Sequence, residues 1–503
     1  MSSISDGKKM SSLYSRHYIS IEIFFLFFLN LLLKGLYLSE AGIGGDECFS
    51  VYYSQLPVAK IIAILSKGNN PPLHEIILHF WTNVFGIDEW AFRFPSYLFS
   101  CLSIIPLYLM GERFVKRGVG LVAVLIFSFS SYSLFLSHDA RVYNLVLFLT
   151  CCSFFVFLNL IDRNRRYILW LVLVLLNAAL LYSHYLAVWV IVVQGVAVLT
   201  HRQLRGRILF LFSMHSIGLL LLFFPFLPVV FMRFLDSGVN GTWVSEVTGL
   251  GDFYNMLWTF SNKPLVTVVF VAVIILAAFL VLFKKEGGKI FQPHFFVILL
   301  WVWLPLVISF LLSFRNGFFL DKYMFFTSPA YYLFVATASI YIGKRLFLKY
   351  QFILPLVCIA LMALTFSIHS IGAKYSGGKG NLSNPVGKIS ALNKSGVPIF
   401  VCPDWFDKDI VYYLDRKLFT TYFAECDSDV VFKIPLLKKN IYQVKNKDAV
   451  NMPYGTNTLA YLDNASDFHF PGNGILNKLN HEYTMKDSFH FDQNIVIYLF
   501  ENK

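Results

Sequence analysis

The stretch Ile19–Glu47, ISIEIFFLFFLNLLLKGLYLSEAGIGGDE, decides the fold. From Ile19 to Ser39 it is apolar, with Glu22 and Lys34 near opposite ends as its only charges. A helix crosses the hydrocarbon of a bilayer with about 20 such residues. No small-residue cleavage site follows, so the run reads as a retained span and not as a signal peptide. The character then reverses: Gly44 and Gly45 let the backbone turn, and Asp46 and Glu47 follow at once. A membrane span thus delivers an acidic turn to one face of the bilayer.

Outward from this stretch the same apolar pattern recurs. The 503 residues are 57% hydrophobic and 14% charged, with 53 Phe and a mean hydropathy of +0.61. A soluble chain carries about 25% charge, so the composition describes a polytopic α-helical membrane protein. Further spans are expected at Ala91–Met110, Gly118–Leu136, Val142–Ile161, Tyr167–Tyr182 and Tyr185–Thr200. Ile208–Met232, Pro264–Phe283, Phe291–Ser313, Lys322–Ile342 and Phe352–Ile371 bring the total to eleven. Pro71–Gly86 is too short for a crossing and carries His74, Glu75 and His79, so it reads as a helix lying in the interface.

Charge gives the orientation. Lys8, Lys9 and Arg16 precede the first span, and five later links each hold three basic residues: 113, 116 and 117; 163, 165 and 166; 202, 205 and 207; 284, 285 and 289; 344, 345 and 349. With eleven spans these six groups share one side, which the positive-inside rule makes cytoplasmic. The net charge of +12 is therefore a topology signal, and no nucleic-acid partner is expected. The N-terminus is expected in the cytoplasm of a bacterial inner membrane, with everything after Ile371 outside.

Residues 1–371 are read as the transmembrane domain, with its first outer loop at 40–90, and 372–503 as a soluble extracytoplasmic α/β domain. From Gly372 onward 15 Lys/Arg nearly balance 14 Asp/Glu. Apolar runs shorten to strand length at Val397–Cys402, Thr458–Leu462 and Asn494–Phe500, with helical patterns at Lys408–Leu414 and Gly474–Leu479. Cys402 and Cys426 are that region's only cysteines, either disulfide-bonded or two buried thiols. The seven cysteines form no CxxC pair and no Cys/His metal spacing.

Ionisable groups that could carry chemistry gather on the outer side. Asp46 and Glu47 open a loop of about 50 residues, a length that in compact proteins usually signals function. Ser137-His138-Asp139-Ala140-Arg141 supplies a second acid, and a structural Asp139–Arg141 pair is the alternative reading. His184 sits at the tip of a helical hairpin, where a structural hydrogen bond would also account for it. Asn70-Pro71-Pro72 reads as a rigid helix start. Arg93 and Lys322 begin spans at the outer interface, where each either snorkels or binds a lipid phosphate.

In order along the chain stand Asp46-Glu47, Asn70-Pro71-Pro72-Leu73-His74, His79-Phe80-Trp81, Arg93-Phe94-Pro95-Ser96, Ser137 to Arg141 with Tyr143, His184-Tyr185 and Asp321-Lys322-Tyr323. This succession, over about residues 19–345, resembles the GT-C membrane glycosyltransferases of the protein O-mannosyltransferase and aminoarabinose transferase type. The resemblance implies a polyprenyl-phosphate-linked sugar as donor, an extracytoplasmic acceptor that is a protein, lipid or glycan, and inversion at the anomeric carbon. It maps the catalytic acid to Asp46, with Glu47 and Asp139 beside it in the catalytic set. Arg93, Arg141, His184, Lys322 and Tyr323 become donor and phosphate ligands, and Asn70, His74 and Tyr143 support the acceptor or the loop. The family's late span often opens Arg-Tyr, and Lys322 offers a point charge in place of that fork. One branch holds a divalent metal with an acid where this chain has Asn70, which weakens a metal role here; a divalent metal stays open as a cofactor, with no ligands assigned. The rival class is a polytopic transporter or lipid flippase, which would place charges mid-bilayer between repeated halves.

Overall fold

The computed structural model describes residues 2–40, 42–67, 70–162, 165–240, 248–283, 292–315, 317–346, 350–366, 382–421, 431–450, 457–491 and 495–503. The chain forms two compact units. One comprises Met1–Leu36, Leu65–His74 and Arg93–Ile368; the other comprises Tyr37–Ile64, Glu75–Phe92 and His369–Lys503. Most of the first long loop therefore groups with the C-terminal residues.

The first unit is helical. Glu89–Val115, Tyr143–Asp162, Arg207–Arg233, Pro264–Phe283, Pro293–Ser313 and Asp321–Leu346 are long and apolar enough to cross a membrane, which marks an integral membrane protein. Val119–Ser128 and Ser131–Ser137, bent by 65°, make a seventh if the pair is one span. Tyr167–Leu181, Tyr185–Thr200 and Ile353–Thr365 are shorter apolar helices, and the first apolar run lies in the helix Ser2–Gly35. Each of the eleven expected segments is helical over most of its described residues. The Leu73–Phe85 helix has 13 residues, about 20 Å at 1.5 Å per residue, against a hydrocarbon thickness of about 30 Å. It leaves Phe80, Val84 and Phe85 exposed.

The bend shows how backbone is satisfied in an apolar setting. Ser130 Oγ restarts the helix by accepting the Ser133 amide. Asn262 bridges the break: its Oδ1 accepts the Ser131 amide at 2.8 Å and its Nδ2 donates to the Phe129 carbonyl at 2.8 Å. Broken helices persist at membrane depth only where neighbours supply such partners. Lys34 is treated likewise. It is wholly buried, donates to Ser100 Oγ and Ser133 Oγ at 2.9 Å each, and lies over the Phe127 ring.

The second unit holds a five-stranded sheet in the order β2-β1-β3-β5-β4. The strands are β1 (Ile399–Cys402), β2 (Ile441–Gln443), β3 (Thr458–Asn464), β4 (Tyr483–Phe491) and β5 (Ile495–Asn502). β1 pairs in parallel with β2 and β3; β5 runs antiparallel to β3 and to β4. Phe400, Cys402, Leu459, Tyr461 and Phe500 pack with Ile475 and Leu479 of the Ile475–Glu482 helix. β1, β3 and β5 fall where strand-length apolar runs predict them; β2 and β4 are additional. The Cys402–Cys426 pairing falls outside the described residues.

Candidate active site

The helical unit contains a small basic and aromatic pocket lined by Tyr143, Val146, His184, Lys322, Tyr323 and Phe326. The rings of Tyr143, His184 and Tyr323 lie 5.1–6.4 Å apart, centroid to centroid. Lys322 Nζ stands 5.9 Å from the centroids of both tyrosine rings, within cation–π range. The start of the span that carries Lys322 and Tyr323 is fixed by Asp321, whose Oδ2 accepts from Thr259 Oγ1 at 2.7 Å.

His184 sits in the link between two apolar helices. Its Nδ1 accepts the Leu186 amide at 3.2 Å, which leaves the ring proton on Nε2. Burial, and then the charges of Arg141 and Lys322, push His184 down to about 4. The ring is neutral at pH 7, so the positive charge around it belongs to Arg141 and Lys322. Both Arg141 and Asp139 are buried. They belong to one tight turn in which the Arg141 amide donates to the Asp139 carbonyl at 2.7 Å. Ser96 Oγ donates to the Arg141 carbonyl, and His138 Nε2 donates to the Lys34 carbonyl at 2.7 Å. The loop is thereby anchored at both ends to neighbouring helices.

Arg93 is entirely buried, which corrects the reading of a snorkelling side chain. Asn70 is half-buried in the bend before two buried prolines, and His74 is buried on the helix they start. The Leu73 amide donates to the Tyr182 carbonyl at 3.0 Å, tying this segment to the hairpin that carries His184.

Asp46 and Glu47 belong to the second unit. They form the first turn of the Asp46–Ser54 helix, where carboxylates favour the positive end of the helix dipole. Gly45 precedes them at φ 55°, ψ −125°, a left-handed backbone that L side chains rarely adopt. Asp46 is exposed, whereas Glu47 is buried. The helix meets Leu73–Phe85 along a polar seam spaced by helical turns. Ser50 Oγ donates to Glu75 Oε1 at 2.8 Å, His79 Nδ1 to the Ser54 carbonyl at 2.8 Å, and Gln55 Nε2 to Thr82 Oγ1 at 3.0 Å.

The residues that sequence reasoning missed lie on the Asp407–Leu414 helix. Its first three, Asp407, Lys408 and Asp409, are all buried. Three successive charges at a helix start read as a solvated turn, so nothing local announces this. Lys408 Nζ lies 3.3 Å from Asp407 Oδ1. Asp409 Oδ1 accepts the Gly45 amide at 2.6 Å, and the Cys48 thiol also bonds to Asp409. Burial pushes Asp409 up to about 7, against the opposing pull of Gly45, Cys48 and Lys408. Burial and the neighbouring carboxylates Asp409 and Glu47 push the Cys48 thiol up as well.

A stability prediction follows. Between about pH 4 and 7 the folded state holds a proton on Asp409 that the unfolded chain has released. This contribution is complete below about pH 4 and is lost as the pH rises through 7. Cys48 and Glu47 from the facing helix, and Asp407 and Lys408 from its own, complete the ionisable groups described around it. Asp409→Asn is uncharged throughout, so its thermal unfolding is expected to improve relative to the parent at pH 8 more than at pH 5. An equal difference at both pH values would count against the shift.

Among the described residues no three His, Cys, Asp or Glu side chains come together as a metal site.

Residues 69–231, about a third of the chain, match the family model of dolichyl-phosphate-mannose-protein mannosyltransferases. No curated protein sequence matches. Among solved structures the chain is similar to apo ArnT from Cupriavidus metallidurans, with a TM-score of 0.59, 11% identity, and 97% of this chain and 98% of that chain covered. The same protein bound to undecaprenyl phosphate gives 0.58 at 11% identity, covering 95% and 97%. The oligosaccharyltransferase AglB from Archaeoglobus fulgidus, in complex with an inhibitory peptide and a dolichol-phosphate, gives 0.55 at 10% identity, covering 97% and 75%. At such identities the likeness is one of fold, and the chain has the GT-C fold of these membrane proteins.

Proposed function

We propose that this GT-C chain is an inverting glycosyltransferase that moves one sugar from a polyprenyl phosphate to an extracytoplasmic acceptor. The observation that carries the reading is the pocket in the helical unit, where Lys322 and a neutral His184 meet two tyrosine rings with the Arg141 charge nearby. Cations against aromatic faces suit a phosphate joined to an apolar tail. The likeness to a structure that holds undecaprenyl phosphate supports the same donor class.

In this reading the acceptor hydroxyl oxygen attacks the anomeric carbon and the carbon–oxygen bond to phosphate breaks. Polyprenyl phosphate leaves with the bonding electron pair, and Asp46 takes the hydroxyl proton as general base, worth about 10²–10⁴ in rate. Glu47 orients the turn, and negative charge near the ring stabilises the oxocarbenium-like transition state. Arg141 and Lys322 hold the departing phosphate, with His184 and Tyr323 shaping the pocket. Asp139 is placed in the catalytic set, and Asn70, His74 and Tyr143 support the loop or the acceptor. All eleven helical segments cross the membrane, the N-terminus is cytoplasmic, and the sheet-bearing unit lies outside.

The deciding experiment incubates the purified full-length protein with a panel of polyprenyl-phosphate sugars and measures release of polyprenyl phosphate. Release with one donor, abolished in Asp46→Asn, is expected; a transporter would release none. Asp139→Asn is expected to lower turnover about tenfold or more with thermal unfolding nearly unchanged. Normal turnover by that variant would leave Asp139 a purely structural role. A reporter fused after Lys503 is expected to be active only outside the cytoplasm, and a cytoplasmic signal would overturn the orientation.

A further inference from the structure

The Asp407–Leu414 helix and the residue that opens the next one touch the long first loop at two separate places. Asp409 and Tyr413, four residues apart, share one face. Asp409 Oδ1 accepts the Gly45 amide at 2.6 Å. The Tyr413 hydroxyl accepts the Ile43 amide at 2.7 Å and donates to the Ile43 carbonyl at 3.2 Å. Tyr412 lies on the next face, and Arg416 opens the short Arg416–Phe419 helix that follows after Asp415. Tyr412 Oη donates towards the Ile87 carbonyl at 3.1 Å and Glu89 Oε1 at 3.0 Å. Arg416 reaches the same two acceptors at 3.2 and 3.3 Å, with its guanidinium 3.5 Å from the Tyr412 ring centroid.

We propose that this helix is a positioning element for Asp46, with Asp409 and Tyr413 fixing the backbone that aims the carboxylate, while Tyr412, together with Arg416 just beyond the helix, fixes the far end of the same loop. The inference rests on Asp46 being the base.

Four features argue for positioning over plain packing. The bonds go to main-chain groups of Ile43 and Gly45, the residues just before Asp46, so they set the direction of the chain and not merely its burial. Ile43 is wholly buried, and its amide and carbonyl need partners there; one hydroxyl serves both. Gly45 holds a left-handed conformation with open space where a Cβ would stand. Nothing packs against it on that side, and the carboxylate bond pins its peptide. A buried carboxylate is a costly way to fill that position, since well-packed apolar groups are often as stable or more so. What the carboxylate adds is an acceptor for one particular amide.

The test uses the full-length protein with Tyr413→Phe, Asp409→Leu and Asp409→Asn. Hydrogen exchange of the peptide spanning residues 42–48 is compared with that of β3 and β5, and turnover is measured with the donor panel. Tyr413→Phe and Asp409→Leu are expected to speed exchange at 42–48 and leave the strands protected. They should lower kcat by roughly 10- to 100-fold, the cost of about an ångström of misplacement, with donor KM within about twofold, because the groups assigned to the donor are untouched. Asp409→Asn keeps an acceptor for Gly45 and is expected to restore most of kcat. Unchanged exchange at 42–48, or faster exchange with normal kcat, overturns the proposal. Should Asp409→Leu unfold the whole unit, Tyr413→Phe alone decides. If Asp46→Asn itself retains normal turnover, the assignment of the base has failed. The aiming role falls with it, while the exchange data still report whether the helix holds the turn.

Discussion

Asp46→Asn is expected to reduce transfer by two to four orders of magnitude while polyprenyl phosphate still binds. The substitution keeps size and hydrogen bonding and removes only basicity. Asp46 is exposed at the start of its helix, where an incoming hydroxyl can reach it, whereas Glu47 beside it is buried. Glu47→Gln is accordingly expected to cost less and to act by loosening the turn. Single-turnover release of polyprenyl phosphate, alongside binding of undecaprenyl phosphate, measures both effects. Near-normal transfer by Asp46→Asn with loss in Glu47→Gln would exchange the two roles. Near-normal transfer by both would move the base elsewhere in the chain.

Lys322→Met is expected to weaken binding of undecaprenyl phosphate by roughly 10- to 100-fold, the worth of one charge-assisted hydrogen bond. Methionine keeps most of the apolar stem beside Tyr143 and Tyr323 and removes the charge. Because His184 is neutral at pH 7, it does not replace the lost cation. Lys322→Arg retains the charge and is expected to bind within a few-fold of the parent. Titration of the purified protein with undecaprenyl phosphate reads the affinity directly. Equal affinities for the parent and Lys322→Met would place the phosphate outside this pocket.

The helical framework was legible because crossing a bilayer leaves a long apolar run, and each such run here is helical. The central strands were legible for a related reason: β1 and the middle of β3 are buried, so their residues are apolar without interruption. β4 escaped because it is an edge strand whose Lys486 and Asp487 face water, and such a pattern reads as loop. β2 has only three residues, too few to show alternation. Asp46, Lys322 and His184 stood out as ionisable groups next to apolar runs. Asp409 and Tyr413 did not, because their importance depends on partners more than 360 residues away. No window along the chain contains both halves of that contact. The grouping of the first loop with the C-terminal residues was hidden for the same reason.

The 364-residue separation between Gly45 and Asp409 has a consequence for biogenesis. A ribosome adding about 5–20 residues per second needs roughly 20–70 seconds to make the intervening chain. During that interval the acidic turn is already synthesised but lacks the helix that holds it. On the proposed function, transfer competence would arise only after Asp409 has been made and has bonded to Gly45. On the same reading, a chain cut short before Asp409 would keep the apolar helices but lack the partner of its acidic turn, and would consume no lipid-linked sugar.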